Sequence, residues 1–142
     1  MYHIGVDLGG TNIKVGVVDE QANLVCSRSL PTKVPRPGEE ICDDIVIAIE
    51  LAMQDAGITW QDIQDVGLGC PGSVDPETGV VGLAANLGFH NFPLKECMAQ
   101  RIPSHLPVST GNDANVAALG EFYAGSAKGA HSAVIITLGT GV

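Results

Sequence analysis

The six residues DLGGTN at 7–12 put a carboxylate, two glycines, a hydroxyl and an amide into one short turn. Asp7, at the end of a strand-like run, can hold a divalent cation directly or through water. Gly9 and Gly10 can take positive φ, so that successive N–H groups face inward and cradle an anion, with the Thr11 hydroxyl as a further donor. Such a set suits a phosphate tail and its metal. An ordinary glycine turn closing a hairpin is the alternative reading of the same letters. A second turn of similar type, Gly139–Thr140–Gly141, stands at the other end of the chain.

TGNDANVAALGE at 110–121 places Asn112 and Asp113 where a strand gives way to a helix. Either could serve as a helix N-cap. A carboxylate there also stays ionised, because the helix dipole favours negative charge. It could orient a substrate hydroxyl and accept its proton during phosphoryl transfer. AANLGFHNFP at 84–93 carries Asn86, His90 and Asn91. Asparagine suits sugar hydroxyls, since one side chain offers both donor and acceptor. GLGCPG at 67–72 matches G-x-G-x-x-G, but SVDPETG follows it instead of a helix, so the dinucleotide reading fails. What remains is a strand delivering the Pro71–Gly72 turn, either near a ligand or as a plain structural turn.

The elements expected to position these residues follow from periodicity. Tyr2–Val6 and the alternation of Ile13, Val15 and Val17 with polar or small residues predict two strands, with a third over Leu24–Ser29. Ile41, Ile45, Ala48, Ile49, Ala52 and Met53 form one apolar stripe, predicting a helix over Glu39–Ala56 that stops at Gly57. Asp65–Cys70 reads as a buried strand. Residues 73–93 read as irregular, with at most a short strand near Val80–Leu83. A helix is expected over Leu94–Ile102, a strand end at Val108–Ser109, a helix over Asn112–Ala124 and a strand over Ala133–Leu138. The fold class is α/β, with a mixed sheet covered by helices in the order β-β-β-α-β-α-β-α.

A formal charge of −9, without any Lys/Arg cluster, argues against a nucleic-acid partner. No apolar run is long enough for a transmembrane helix. Cys26, Cys42, Cys70 and Cys97 lack CxxC spacing, and the four histidines lack metal-ligand spacing, so no zinc site is expected within these 142 residues. A strand from the first residues on, no signal peptide and reduced cysteines in the cytoplasm are the expectation.

Taken in order, DLGGTNIKVGVVD, GLGCPGSVD, NLGFHNFPL, GNDANVAALGE and LGTGV resemble the amino-terminal part of the ROK family of bacterial glucokinases, related sugar kinases and sugar-responsive repressors. The resemblance runs along essentially the whole chain. It implies the actin-like, ribonuclease H-like sugar kinase fold, with residues 1–125 as the small lobe. Residues 126–142 would be the first strand and the start of the second phosphate loop of a large lobe otherwise absent. It implies phosphorylation of a hexose, glucose first, at the 6-hydroxyl by ATP and Mg2+. By analogy Asp7, Gly9, Gly10, Thr11 and Asn12 form the first phosphate loop, with Asp7 near Mg2+. Gly139, Thr140 and Gly141 begin the second. Gly72, Asn86, Asn112 and Asp113 face the sugar, and Asp113 is the catalytic base.

The family commonly has a tryptophan shortly after the asparagine of the third motif, where this chain offers Phe89 or Phe92. Its zinc motif lies downstream of this segment and includes none of the four cysteines. The 142 residues alone are expected not to turn over, and the full-length protein is expected to be a homodimer. Other readings are a sugar-sensing regulator of the same family and an actin-like nucleotide switch without a sugar. Which hexose or N-acetylhexosamine is used, and whether ATP or polyphosphate is the donor, stays open.

Overall fold

In the computed structural model, residues 1–113 and 128–129 are described. Three strands open the chain, β1 (Tyr2–Leu8), β2 (Asn12–Asp19) and β3 (Leu24–Pro31). Ile4, Val6 and Leu8 on β1 and Ile13, Val15 and Val17 on β2 are all buried on one face. Gly5, Asp7 and Lys14 stand exposed between them, the period-two alternation of a sheet with a single covered face. Asp19 makes the β2–β3 turn: its Oδ1 accepts the N–H groups of Gln21 and Asn23, each at 2.9 Å. These bonds, that of Asn23 foremost, hold its carboxyl below the usual aspartate value.

The cover is α1 (Gly38–Ala56), which packs on β2 and β3. Its buried residues are the expected stripe, Ile41, Ile45, Ala48, Ile49, Ala52 and Met53, together with Cys42. Glu39 and Glu40 lie in the first turn, where the dipole favours them. Gly57 ends the helix at φ 69°, its N–H bonded to the Gln54 carbonyl and that of Ile58 to the Met53 carbonyl.

A single 3-10 turn at Trp60–Asp62 then leads into β4 (Ile63–Cys70), which pairs with β1 in parallel. At the far edge β8 (Val108–Asn112) pairs in parallel with β4, completing a five-stranded sheet ordered β3-β2-β1-β4-β8. Helix α2 (Leu94–Ala99) lies beside α1. It ends at Ala99, short of the expected Ile102: the Arg101 N–H turns to the Met98 carbonyl in a tighter bond, and Pro103 disfavours helical geometry at Ile102. Ile102 is still buried, as the apolar pattern required.

The stretch expected to be irregular apart from a short strand at Val80–Leu83 holds a second sheet, and the expected strand is the middle one of its three. β5 (Ser73–Val74), β6 (Val81–Ala84) and β7 (Phe89–Phe92) form an antiparallel meander. Strands of two to four residues are too short for a periodic signal to develop. The β5–β6 turn is held by Asp75, whose Oδ1 accepts the N–H groups of Glu77 at 2.8 Å and Thr78 at 3.0 Å. The Thr78 and Glu77 bonds lower the Asp75 carboxyl from its ordinary value. A depressed folded-state value means that the stabilisation is present above the unfolded value of about 3.9 and lost as pH falls through the folded one. Asp75→Ala is therefore expected to melt slightly below wild type at neutral pH, with the gap closing on acidification below that range. Thermal denaturation across pH checks this, and a gap that persists in acid would refute it.

Candidate functional site

The sheet topology sets the carboxyl ends of its three parallel strands, β1, β4 and β8, side by side, where α/β sheets present ligand sites. Asp7 lies near the end of β1 on the exposed face. Its neighbour in the β1–β2 register is Lys14, and on the other side its row continues through Gly69 and Gly111. Two glycines in succession leave one flank of the carboxylate without side chains, while the lysine gives the other a cation. An open cavity of about 990 Å³ runs along this face, with Asp7, Lys14, Gly72, Thr110 and Asn112 among its lining. In sequence Lys14 is only an outward strand position; its pairing with Asp7 comes from the register.

The turn after β1 is built differently from the expectation. Neither Gly9 nor Gly10 takes positive φ, and the Gly9 N–H is bonded to the Asn12 carbonyl at 2.9 Å. The cradle of left-handed glycines is corrected to a turn closed by its own backbone. Gly10 serves instead for close approach: a Cβ there would stand 2.9 Å from the Cβ of Asn86 and 3.1 Å from its carbonyl oxygen. Two motifs 76 positions apart in the chain thus touch. Thr11 and Asn12 are exposed at the tip.

The remaining candidates also meet. Asn112 Nδ2 donates to the Gly72 carbonyl at 2.7 Å. Asn112 is the last residue of β8, not the first of a helix as expected, because it continues the parallel ladder opposite Cys70. Gly72 sits at φ 90°, and a Cβ on it would lie 1.9 Å from the Leu83 carbonyl oxygen and 3.1 Å from the Ala84 Cα. Ala84 leads directly into the 3-10 turn Ala85–Leu87 that carries the exposed Asn86. The connected path is therefore Gly10–Asn86, Ala84–Gly72, Gly72–Asn112, and then Asp113 as the next residue.

Asp113 is half-buried just past the end of β8. Its negative charge is felt at the end of β4, where the Cys70 thiol is pushed up to about 12, by burial first and by Asp113 second. Phe89 is in the core and Phe92 half-buried, their ring centroids 4.6 Å apart. Phe92 also closes on the start of α1, where a Cβ on Gly38 would meet its ring at 2.6 Å. Both rings are engaged in packing. His90 and Asn91 are exposed on β7.

Among the described residues no group of three or more His, Cys, Asp or Glu side chains could hold a metal ion. Asp7 alone fits a cation that keeps most of its coordination to water and phosphate oxygens, as Mg2+ does. No described helix is long and apolar enough to cross a membrane. Gly139, Thr140 and Gly141, the helix expected up to Ala124 and the strand expected over Ala133–Leu138 lie outside the described residues.

Known proteins resemble the chain in sequence and in structure. A glucokinase of Halalkalibacterium halodurans is 37% identical over 141 residues, covering 99% of this chain and 42% of that protein. A putative xylose repressor of a Caldicellulosiruptor species is 32% identical, covering 98% of this chain and 34% of the repressor. The crystal structure of a ROK family glucokinase from Streptomyces griseus in complex with glucose and AMPPNP matches with a TM-score of 0.79 at 39% identity, over 91% of this chain and 38% of that one. The chain thus spans less than half the length of these relatives. The family model that matches is that of the ROK family, over residues 3–142.

Proposed function

The chain belongs to the ROK family, and on that premise we propose that it forms the small lobe, residues 1–125, and the opening of the large lobe, residues 126–142, of an ATP-dependent hexose kinase. Its mixed sheet is that of the actin-like fold of ROK sugar kinases. The substrate proposed is glucose, phosphorylated on its 6-hydroxyl in the cytoplasm by a homodimeric enzyme.

Asp113 accepts the proton of that hydroxyl as its oxygen attacks the γ-phosphorus and the bond from that phosphorus to the β–γ bridging oxygen breaks, releasing ADP, with Gly72, Asn86 and Asn112 orienting the sugar. The turn from Gly9 to Asn12 receives phosphates, and Gly139–Thr140–Gly141 begins the second phosphate loop. Asp7 would hold Mg2+, which when bound neutralises charge on the phosphate oxygens. Holding hydroxyl and phosphoryl group in line is most of what the protein must contribute.

The observation that carries this reading is the connected path from the Gly10 turn through Asn86 and Gly72 to Asn112. It joins the residues assigned to phosphate and to sugar in one patch at the carboxyl ends of parallel strands. The test is a coupled assay on the complete gene product with a panel of hexoses and N-acetylhexosamines, using ATP and polyphosphate as donors. ATP-dependent turnover of glucose is the expected result. Sugar binding without turnover on any substrate would favour a second reading, a sugar sensor, which the repressor among the relatives supports.

A further inference from the structure

Among the described residues Thr32 is the one polar residue that is buried, with no exposed surface. It lies just beyond β3, in the proline-rich stretch PTKVPRPG, which carries no motif. Leaving a buried hydroxyl unbonded is costly, so the partners of this one show what it is for. Thr32 Oγ1 donates to the Gly9 carbonyl at 2.7 Å. Its backbone N–H donates to the Thr11 carbonyl at 2.9 Å. Its own carbonyl accepts from Arg36 Nε at 2.9 Å, and Arg36 Nη2 is in turn paired with Asp44 Oδ2 of α1 at 2.7 Å. That ion pair is mostly buried, with 15% and 24% of the two side chains exposed.

One residue therefore holds two carbonyls of the turn after β1 and is itself anchored to the main helix. Each peptide is planar and trans, so fixing a carbonyl fixes the following N–H in the opposite direction. Bonding the Gly9 and Thr11 carbonyls to Thr32 turns the N–H groups of Gly10 and Asn12 away from it. We infer that Thr32, backed by Arg36 and Asp44, is a positioning residue for nucleotide binding: its bonds orient the peptides of the Gly9–Asn12 turn toward the phosphates. The inference rests on the kinase reading. It adds to that reading a residue outside the motif, with no contact to either substrate proposed.

The test uses the complete gene product and measures binding of Mg–AMPPNP and of glucose separately by calorimetry, alongside kcat and KM for ATP. Thr32→Val keeps the shape and the backbone donor but removes the hydroxyl. It is expected to raise the nucleotide Kd and the KM for ATP roughly tenfold, the scale of one lost hydrogen bond to a buried carbonyl. Glucose affinity stays at wild type, and Thr32→Ser restores nucleotide affinity. Wild-type nucleotide affinity in the valine variant overturns the inference, as does equal weakening of both ligands, which would mark a general packing role. Should the valine variant fail to fold, Arg36→Gln decides on the same criterion, with selective loss of nucleotide affinity expected. A wild type that binds glucose but no nucleotide removes the kinase reading itself, and the inference with it.

Discussion

Asp113→Asn in the complete gene product is expected to lower kcat by about 10²–10⁴-fold, the range over which a positioned general base acts, while glucose affinity changes only a few-fold. Asparagine keeps the size of the aspartate and one acceptor oxygen for the sugar hydroxyl but cannot accept a proton. Ground-state contacts survive and the transition-state contribution is lost, which lowers kcat without raising KM. The position suits such a role. Asp113 follows the last residue of β8, next to Asn112, which is tied to the Gly72 carbonyl. Its charge also raises the Cys70 thiol, so it stands within electrostatic reach of the end of β4. Steady-state kinetics together with isothermal titration of glucose decide the matter. Turnover within tenfold of wild type would remove Asp113 from the proposed base role; loss of glucose binding in parallel would assign it to the sugar instead.

Gly72→Ala is the second large effect, and it acts on the fold. A Cβ at this position has two separate costs. The backbone sits at φ 90°, where a non-glycine residue is strained, and the Cβ itself would lie 1.9 Å from the Leu83 carbonyl oxygen. Backbone atoms of β6 cannot swing aside as a flexible side-chain tip could. The two segments must separate, and with them the turn carrying Asn86 and the carbonyl that holds Asn112. The expected loss is about 3 kcal/mol or more, enough to remove a large share of a typical domain's stability. Gly57→Ala is the matched control, since Gly57 has φ 69° but no atom within 4 Å of its Cβ position. It bears only the left-handed strain, about 1–2 kcal/mol. Chemical denaturation of both variants separates the terms. Equal losses would mean that Gly72 and β6 do not approach as closely as described.

Much of the scaffold is legible in the order of residues alone. The stripe from Ile41 to Met53 is the buried face of α1, and Gly57 ends it in the left-handed conformation as its position implies. The alternation along β1 and β2 separates the covered face from the one bearing Asp7 and Lys14. These signals are local, because a helix or strand in a folded domain must repeat its apolar residues at its own period. The five motifs in order lead to the family that the comparisons show. Gly72, Asn86, Asn112 and Asp113 stand out by residue type and place.

Contacts between distant parts of the chain are not legible in this way. Of the meander only β6 shows in the sequence, as the short apolar run near Val80–Leu83; β5 and β7 are too short to display a period, and mutual pairing defines them. Gly10 reads in sequence as a source of positive φ, whereas its lack of a side chain admits Asn86, a residue 76 positions away. Asn112 reads as a helix start, whereas the ladder with β4 extends β8 to include it. Thr32 carries no motif, and its importance comes wholly from the carbonyls it meets.

The sequence by itself determined which residues are apolar, where the chain can turn and which side chains can do chemistry, since those properties belong to each residue and its near neighbours. Tertiary structure alone decided that β4 lies between β1 and β8, that Asp7 faces a bare glycine flank, and that the turn after β1 is held from behind by Thr32. Those depend on pairing and close packing between segments far apart in the chain, and no local pattern encodes the partner.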